Sequence, residues 1–302
     1  MNFIKYLTLA GVLLFLSGCP ADKYFGKLRV LHTSPDAPEV NVLLNGKQRI
    51  SKLDYAFSSG FRSILKGKYR VDVQAIIPGG NATVLSLSPF EVTSRSRTTV
   101  LAIGTVAVES GTDIPLELLP VAESASEPGV SEVAVVVVHA SPAASALGNV
   151  DIFVTGPGAP LAGAMPINLG YKGTADAGAL PADTYQVRVT PEGDATTVLF
   201  DSGPVDLTPF AGQKLIISAI DAADQLQPAA PIKLLVANDD TSLNIRDIAT
   251  TAGARVAHVS PDAAAAAGGP VEVFATIGGA SVELIPAFNL SLIHISEPTR
   301  PL

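Results

Sequence analysis

His32, His139 and His258 each open the same short motif, His-x-Ser-Pro, which continues through Ser34 and Pro35, Ser141 and Pro142, and Ser260 and Pro261. An acid follows in two copies, Asp36 and Asp262, whereas Ala143 stands there in the second. Imidazole, hydroxyl and carboxylate close together suggest a nucleophile with its base and orienting acid, and a repeated histidine suggests a metal ligand. Neither chemistry fits the pattern. A Ser-His-acid centre needs all three groups within hydrogen-bond reach, yet one motif lacks the acid and a Pro ends the strand after each Ser. A metal site needs three or four converging ligands, and no motif has a second His or any Cys beside it. The expected role is structural, with the imidazole bonded to backbone at a strand end and the Ser and Asp capping a Pro turn. No catalytic residue, cofactor or metal ligand is expected among these positions.

Asp221, Asp224, Asp239 and Asp240 pose the same question for Ca²⁺, which takes six to eight oxygens. They lack the alternating acid spacing of a calcium loop and read as solvated loop residues. The chain has no nucleophile elbow, zinc-protease helix, P-loop or dinucleotide fingerprint.

The elements that position the motifs repeat with them. His32 to His139 spans 107 residues and His139 to His258 spans 119, distances that suit tandem globular modules and exceed solenoid units. Leu53-Asp54-Tyr55 returns as Leu169-Gly170-Tyr171, and Tyr69, Val71 and Val73 return as Tyr185, Val187 and Val189. Their alternation with polar residues is the period of a strand with one buried face. Short Val-, Ile- and Thr-rich segments divided by Gly- and Pro-containing turns predict an all-β chain of tandem antiparallel β-sandwich modules. The longest apolar run, Val133 to Val138, suits a buried strand and is too short to span a bilayer. The expected boundaries are 28–130 for the first module and 131–252 for the second, followed by an incomplete third at 253–289. Residues 290–302 resemble a translated sequencing adapter and are expected to be non-native.

Of 302 residues, 16% are charged, and the single Cys excludes an intramolecular disulfide or a Cys-rich metal site. That cysteine, Cys19, follows Lys5, an apolar run and Leu16-Ser17-Gly18. The layout is that of an export signal, and Leu-small-small-Cys resembles a bacterial lipobox. Residues 1–18 are therefore expected to be a signal peptide, with Cys19 lipidated, residues 19–27 a tether and the protein anchored to a membrane of the cell envelope. Pro20 stands where Asp would mark inner-membrane retention, so the outer membrane is favoured. Charge is uneven: the first 100 residues hold 13 Lys or Arg against 6 Asp or Glu, and the rest 7 against 22. Lys23, Lys27, Arg29, Lys66, Lys68 and Arg70 suggest a basic face for anionic headgroups or another envelope polyanion. A net charge of −8 on an exported chain argues against nucleic acid as a partner.

The repeated His-x-Ser-Pro motif and the strand after it resemble the bacterial family called domain of unknown function 4397, over His32 to Leu119, His139 to Val236 and the start of a third copy. The resemblance implies immunoglobulin-like sandwiches in an envelope lipoprotein and brings no reaction with it. Ala143 departs from the family pattern. The expected function is a non-catalytic interaction, adhesion or structural module whose partner is an envelope protein or glycan. One alternative is carbohydrate binding through Tyr55, Tyr69, Tyr171 and Tyr185, weakened by the absence of Trp. The other is an accessory role to an envelope hydrolase.

Overall fold

The computed structural model describes residues 23–106, 114–123, 127–223, 230–250, 271–277 and 280–288. Cys19 and its leader, Asp224, the third motif with His258, Ser260, Pro261 and Asp262, and the tail from 290 lie outside them. The chain divides into two compact units, Met1–Thr251 and Ala252–Leu302.

The first unit holds two β-sandwiches. One comprises β1 (Phe25–His32), β2 (Val40–Leu44), β3 (Lys47–Leu53), β4 (Arg62–Leu65), β5 (Gly67–Ile77), β6 (Gly80–Val92), β7 (Arg97–Ile103) and β8 (Glu117–Ala122). Its sheets run β4-β1-β7-β8 and β3-β2-β5-β6. The other comprises β9 (Glu132–His139), α1 (Pro142–Ser145), β10 (Val150–Thr155), β11 (Ile167–Leu169), β12 (Thr174–Pro181), β13 (Thr184–Pro191), β14 (Phe200–Asp206), β15 (Lys214–Asp221), β16 (Ile232–Ala237) and β17 (Ser242–Ile245). Its sheets, β12-β9-β15-β16-β17 and β11-β10-β13-β14, repeat the first order and add β17 at one edge. The all-β sandwich architecture is the expected one. Pairing is antiparallel except for β1 with β7 and β9 with β15, which are parallel neighbours at the centre of one sheet in each sandwich.

Those two sheets are apolar on both faces. Along β1, Leu28 and Val30 enter the core of the first sandwich, while Leu31 faces the other way into a separate cluster. Along β9, Val133, Val135 and Val137 enter the core of the second, while Val136 and Val138 join that same separate cluster. Leu101, Ile103, Ile216, Ile220 and Leu235 complete it, all fully buried. This third core is the seam between the sandwiches, so four sheets stack around three apolar layers. Double burial explains why Val133 to Val138 is continuously apolar where a one-sided strand would alternate. Each fully buried Leu or Ile contributes about 1.5–3 kcal/mol, so the seam is a principal source of stability.

In the second unit, β18 (Val271–Ile277) and β19 (Ala280–Phe288) form an antiparallel hairpin. Among the described residues, no helix is long and apolar enough to cross a membrane.

Candidate functional site

Both described motifs sit at the seam, where β1 and β9 end, and their histidines are completely buried. The same loop holds each one. The His32 carbonyl accepts from Ala56 N–H at 2.8 Å and His32 N–H donates to the Phe57 carbonyl at 3.1 Å. In the second sandwich, Lys172 N–H donates to the His139 carbonyl at 2.8 Å and His139 N–H to the Gly173 carbonyl at 2.9 Å. Ala56 and Lys172 occupy the left-handed region, with φ of 61° and 67°, and this turns the preceding Tyr toward the histidine. Tyr55 meets the His32 ring edge-on at 6.2 Å between centroids, and Tyr171 meets His139 at 6.0 Å. The Tyr55 hydroxyl reaches across the seam and donates to the Asp221 carbonyl.

Burial sets the chemistry of these rings. His32 Nε2 donates to the Pro38 carbonyl at 3.0 Å, which leaves Nδ1 buried without a hydrogen-bond partner. His139 Nδ1 accepts from Ser141 N–H at 3.4 Å, and its Nε2 is buried without one. Desolvation lowers the pKa of both, that of His139 to about 4. Each imidazole is thus neutral and inaccessible at pH 7. Burial, reinforced by Glu117 and Asp221, raises the Tyr171 hydroxyl above the usual tyrosine value.

The missing acid of the second motif has moved to another strand. In the first sandwich Asp36 accepts from Ser34 Oγ at 3.3 Å and from Val106 N–H at 2.9 Å, tying the motif to the chain after β7. In the second, Asp221 at the end of β15 accepts from Ser141 Oγ and, at 3.1 Å, from Ala143 N–H. Register pairs His32 with Ala102 and His139 with Ala219, so Gly104 occupies the position of Asp221. The tie persists with its carboxylate on the opposite side. Burial raises the Asp221 pKa against the pull of Ser141 and Ala143, and Asp36 adds to the rise. Ser141 Oγ also caps α1, accepting from Ala144 N–H at 3.1 Å.

A second seam feature escaped the motif search. Arg29, on β1 and fully buried, donates from Nε to Thr99 Oγ1 at 3.0 Å, from one terminal nitrogen to the Asn238 carbonyl and from the other to Glu123. Arg97 binds Asp239 of the second sandwich and Glu123 of the first. Both guanidinium carbons lie 4.4 Å from the centre of the Phe61 ring, and Phe61 N–H donates to the Asp239 carbonyl at 2.8 Å. Burial lowers the Arg29 pKa against the pull of Glu123. For Arg97 burial acts in the same sense, but Asp239 and Glu123 outweigh it and raise the value. The available signal was Arg29 itself, a cation inside an otherwise apolar strand.

The remaining sequence candidates have defined places. Asp221 and Asp239 serve the seam on different partners, Ser141 and Arg97, and the described residues contain no cluster of three or more metal-ligating side chains. Tyr69 and Tyr185 are tied to the backbone four residues upstream, donating to Leu65 and Pro181 carbonyls at 2.7 and 3.0 Å. Tyr55 and Tyr171 pack against the seam, Tyr69 against the core of the first sandwich and Tyr185 against that of the second, all four half-buried. Arg29 is not part of a basic surface, because β1 is covered on both sides; Lys27 pairs with Asp239 and Arg70 with Asp72.

No curated protein matches the chain. Among solved structures, the Bacillus anthracis TIE protein is similar at 11% identity over 74% of this chain and 48% of that chain, with a TM-score of 0.20. The chain thus spans about half the length of that protein. The family model described as Domain of unknown function (DUF4397) matches residues 26–153. That match covers the first sandwich and both described motifs, and over these residues the chain is similar to the domain of unknown function 4397 family.

Proposed function

We propose that this chain is a lipid-anchored cell-envelope protein, held through Cys19 at the outer membrane, whose fused sandwiches form a non-catalytic interaction module. The observation that carries the reading is the complete burial of His32, Ser34, His139 and Ser141 in a seam. In both described motifs the His and Ser are closed to any substrate, and their hydrogen bonds join strands and loops. A rigid four-sheet body with loops at its ends is suited to presenting a binding surface. Leu16-Ser17-Gly18-Cys19 supports the anchor. Envelope proteins and glycans are the partners, and the acidic net charge disfavours nucleic acid.

Metabolic labelling with an alkyne analogue of palmitate tests the anchor. The wild-type chain is expected to take the label and sediment with membranes, while Cys19→Ala takes none and accumulates as unprocessed precursor. An unlabelled wild-type chain would overturn the anchor. Turnover of an envelope polymer by the purified chain would overturn the non-catalytic reading.

A further inference from the structure

β3 and β4 are the edge strands of the two sheets of the first sandwich, and the chain that joins them borders a groove of about 500 Å³. Arg49 and Lys52 on β3, Arg62 on β4 and Asp54 supply its charge, and Phe57, 51% exposed, lines it. Among the described residues, no ion pair engages Arg49, Lys52 or Arg62. Asp54 accepts from Tyr55 N–H at 2.7 Å. The groove wall is fixed from the seam side. Ala56 and Phe57 are bonded to the His32 backbone, and Ser58 N–H donates to Ser242 Oγ at 3.1 Å. Tyr55 consequently packs inward while Phe57 is exposed.

The second sandwich supplies an internal comparison. Leu53 pairs with Val40 as Leu169 pairs with Val150, which sets the equivalence of the two edges. At the positions of Arg49, Lys52, Phe57 and Arg62 it carries Pro166, Asn168, Gly173 and Gly178. The same scaffold therefore forms without the three cations or the aromatic ring. Their presence at one edge answers a need other than folding.

We propose that this groove binds an anionic sugar, a ring bearing a phosphate or carboxylate group, as a unit of an envelope polymer. Guanidinium groups match phosphate and carboxylate in a two-pronged geometry, and an exposed phenyl ring packs on the apolar face of a sugar. The volume falls within the range of small-ligand sites. A concave site of this kind favours a polymer unit over a flat bilayer. The envelope reading above supplies the source of the ligand, while the groove alone supplies its chemistry. Palmitate labelling at Cys19 reads the first and ligand titration the second, so either can fail separately.

Calorimetric titration of the full-length chain tests the proposal, with N-acetylglucosamine 6-phosphate, glucuronic acid, neutral N-acetylglucosamine, inorganic phosphate and phosphatidylglycerol vesicles as probes. At least one charged sugar is expected to bind saturably and about tenfold more tightly than phosphate or the neutral sugar. Arg49→Ala, Arg62→Ala and Phe57→Ala should each weaken it about fivefold or more, and Arg49→Lys should recover only part of the loss. Met165→Ala, an exposed position just before the equivalent edge strand of the second sandwich, should leave it unchanged. Unaltered melting temperatures would show that the exposed-residue variants remain folded. The proposal fails if neither charged sugar binds, if the groove variants bind as wild type does, if inorganic phosphate binds equally well, or if the groove residues instead govern retention on vesicles.

Discussion

A histidine held neutral by burial makes stability depend on pH in a defined sense. His139 ionises only near pH 4 in the folded chain, against 6.5 for an unperturbed histidine, and His32 is displaced in the same direction. Above pH 6.5 the ring is neutral whether folded or not. As pH falls from 6.5 toward 4, the unfolded chain binds a proton that the folded chain refuses, and stability declines by about 1.4 kcal/mol per pH unit for His139. Asp221, whose pKa is raised, acts oppositely: folded, it takes up its proton earlier and offsets part of the loss. His139→Gln should therefore flatten the fall in urea midpoint between pH 7 and 5, and equal slopes for variant and wild type would show that the ring does not titrate as argued. Asp221→Ala should cost about 1.5–3 kcal/mol by removing the acceptor of Ser141 Oγ and Ala143 N–H, measured by denaturant unfolding at pH 7. The motif residues could be picked out because they recur, but their partners could not. Tyr55 lies 23 residues beyond His32, and only the left-handed turn at Ala56 aims it at the ring. Asp221 is hidden further, since the carboxylate absent at Ala143 returns on a strand nearly 80 residues away.

Strands alternate when one face is wet, and that rule made Tyr69, Val71 and Val73 readable as a single buried face. It gives little guidance for the C-terminal halves of β1 and β7 and for β15, where successive residues are buried whichever way they point, or for β9, where none is exposed. The run Val133 to Val138 marked a buried strand without saying what covered its second side. Arg29 on β1 is the clearest consequence, because outward on a strand meant solvent in the sequence and means the seam in the fold. Its guanidinium satisfies Thr99, Glu123 and the Asn238 carbonyl at once. Arg29→Ala should cost about 3–5 kcal/mol by leaving Glu123 buried without its main partner. The double variant Arg29→Met with Glu123→Leu should recover most of that loss, because a packed apolar pair needs no charge compensation. Urea unfolding of the single and double variants reads the difference, and a double variant as unstable as Arg29→Ala would contradict it.

Two sandwiches that share a core cannot unfold independently. Leu31, Leu101 and Ile103 of the first pack with Val138, Ile216, Ile220 and Leu235 of the second, and the Arg29 and Arg97 contacts with Asn238 and Asp239 close one flank of the seam. A period of about 110 residues indicates modules, but it carries no information on whether they hang as separate beads or fuse. That distinction depends on the outward face of β7, where Leu101 and Ile103 alternate with the inward Val100. Residues 23–250 should accordingly unfold in one transition, while residues 23–123 alone should aggregate because Leu31, Leu101, Ile103 and Val121 would face water. The sharper test is Leu101→Ala. It should cost about 2–5 kcal/mol through the cavity it leaves, and hydrogen exchange should show the loss in β9 and β15 as fully as in β1 and β7. Lowered protection confined to the first sandwich would mean that the seam is a contact between independent domains and not a core.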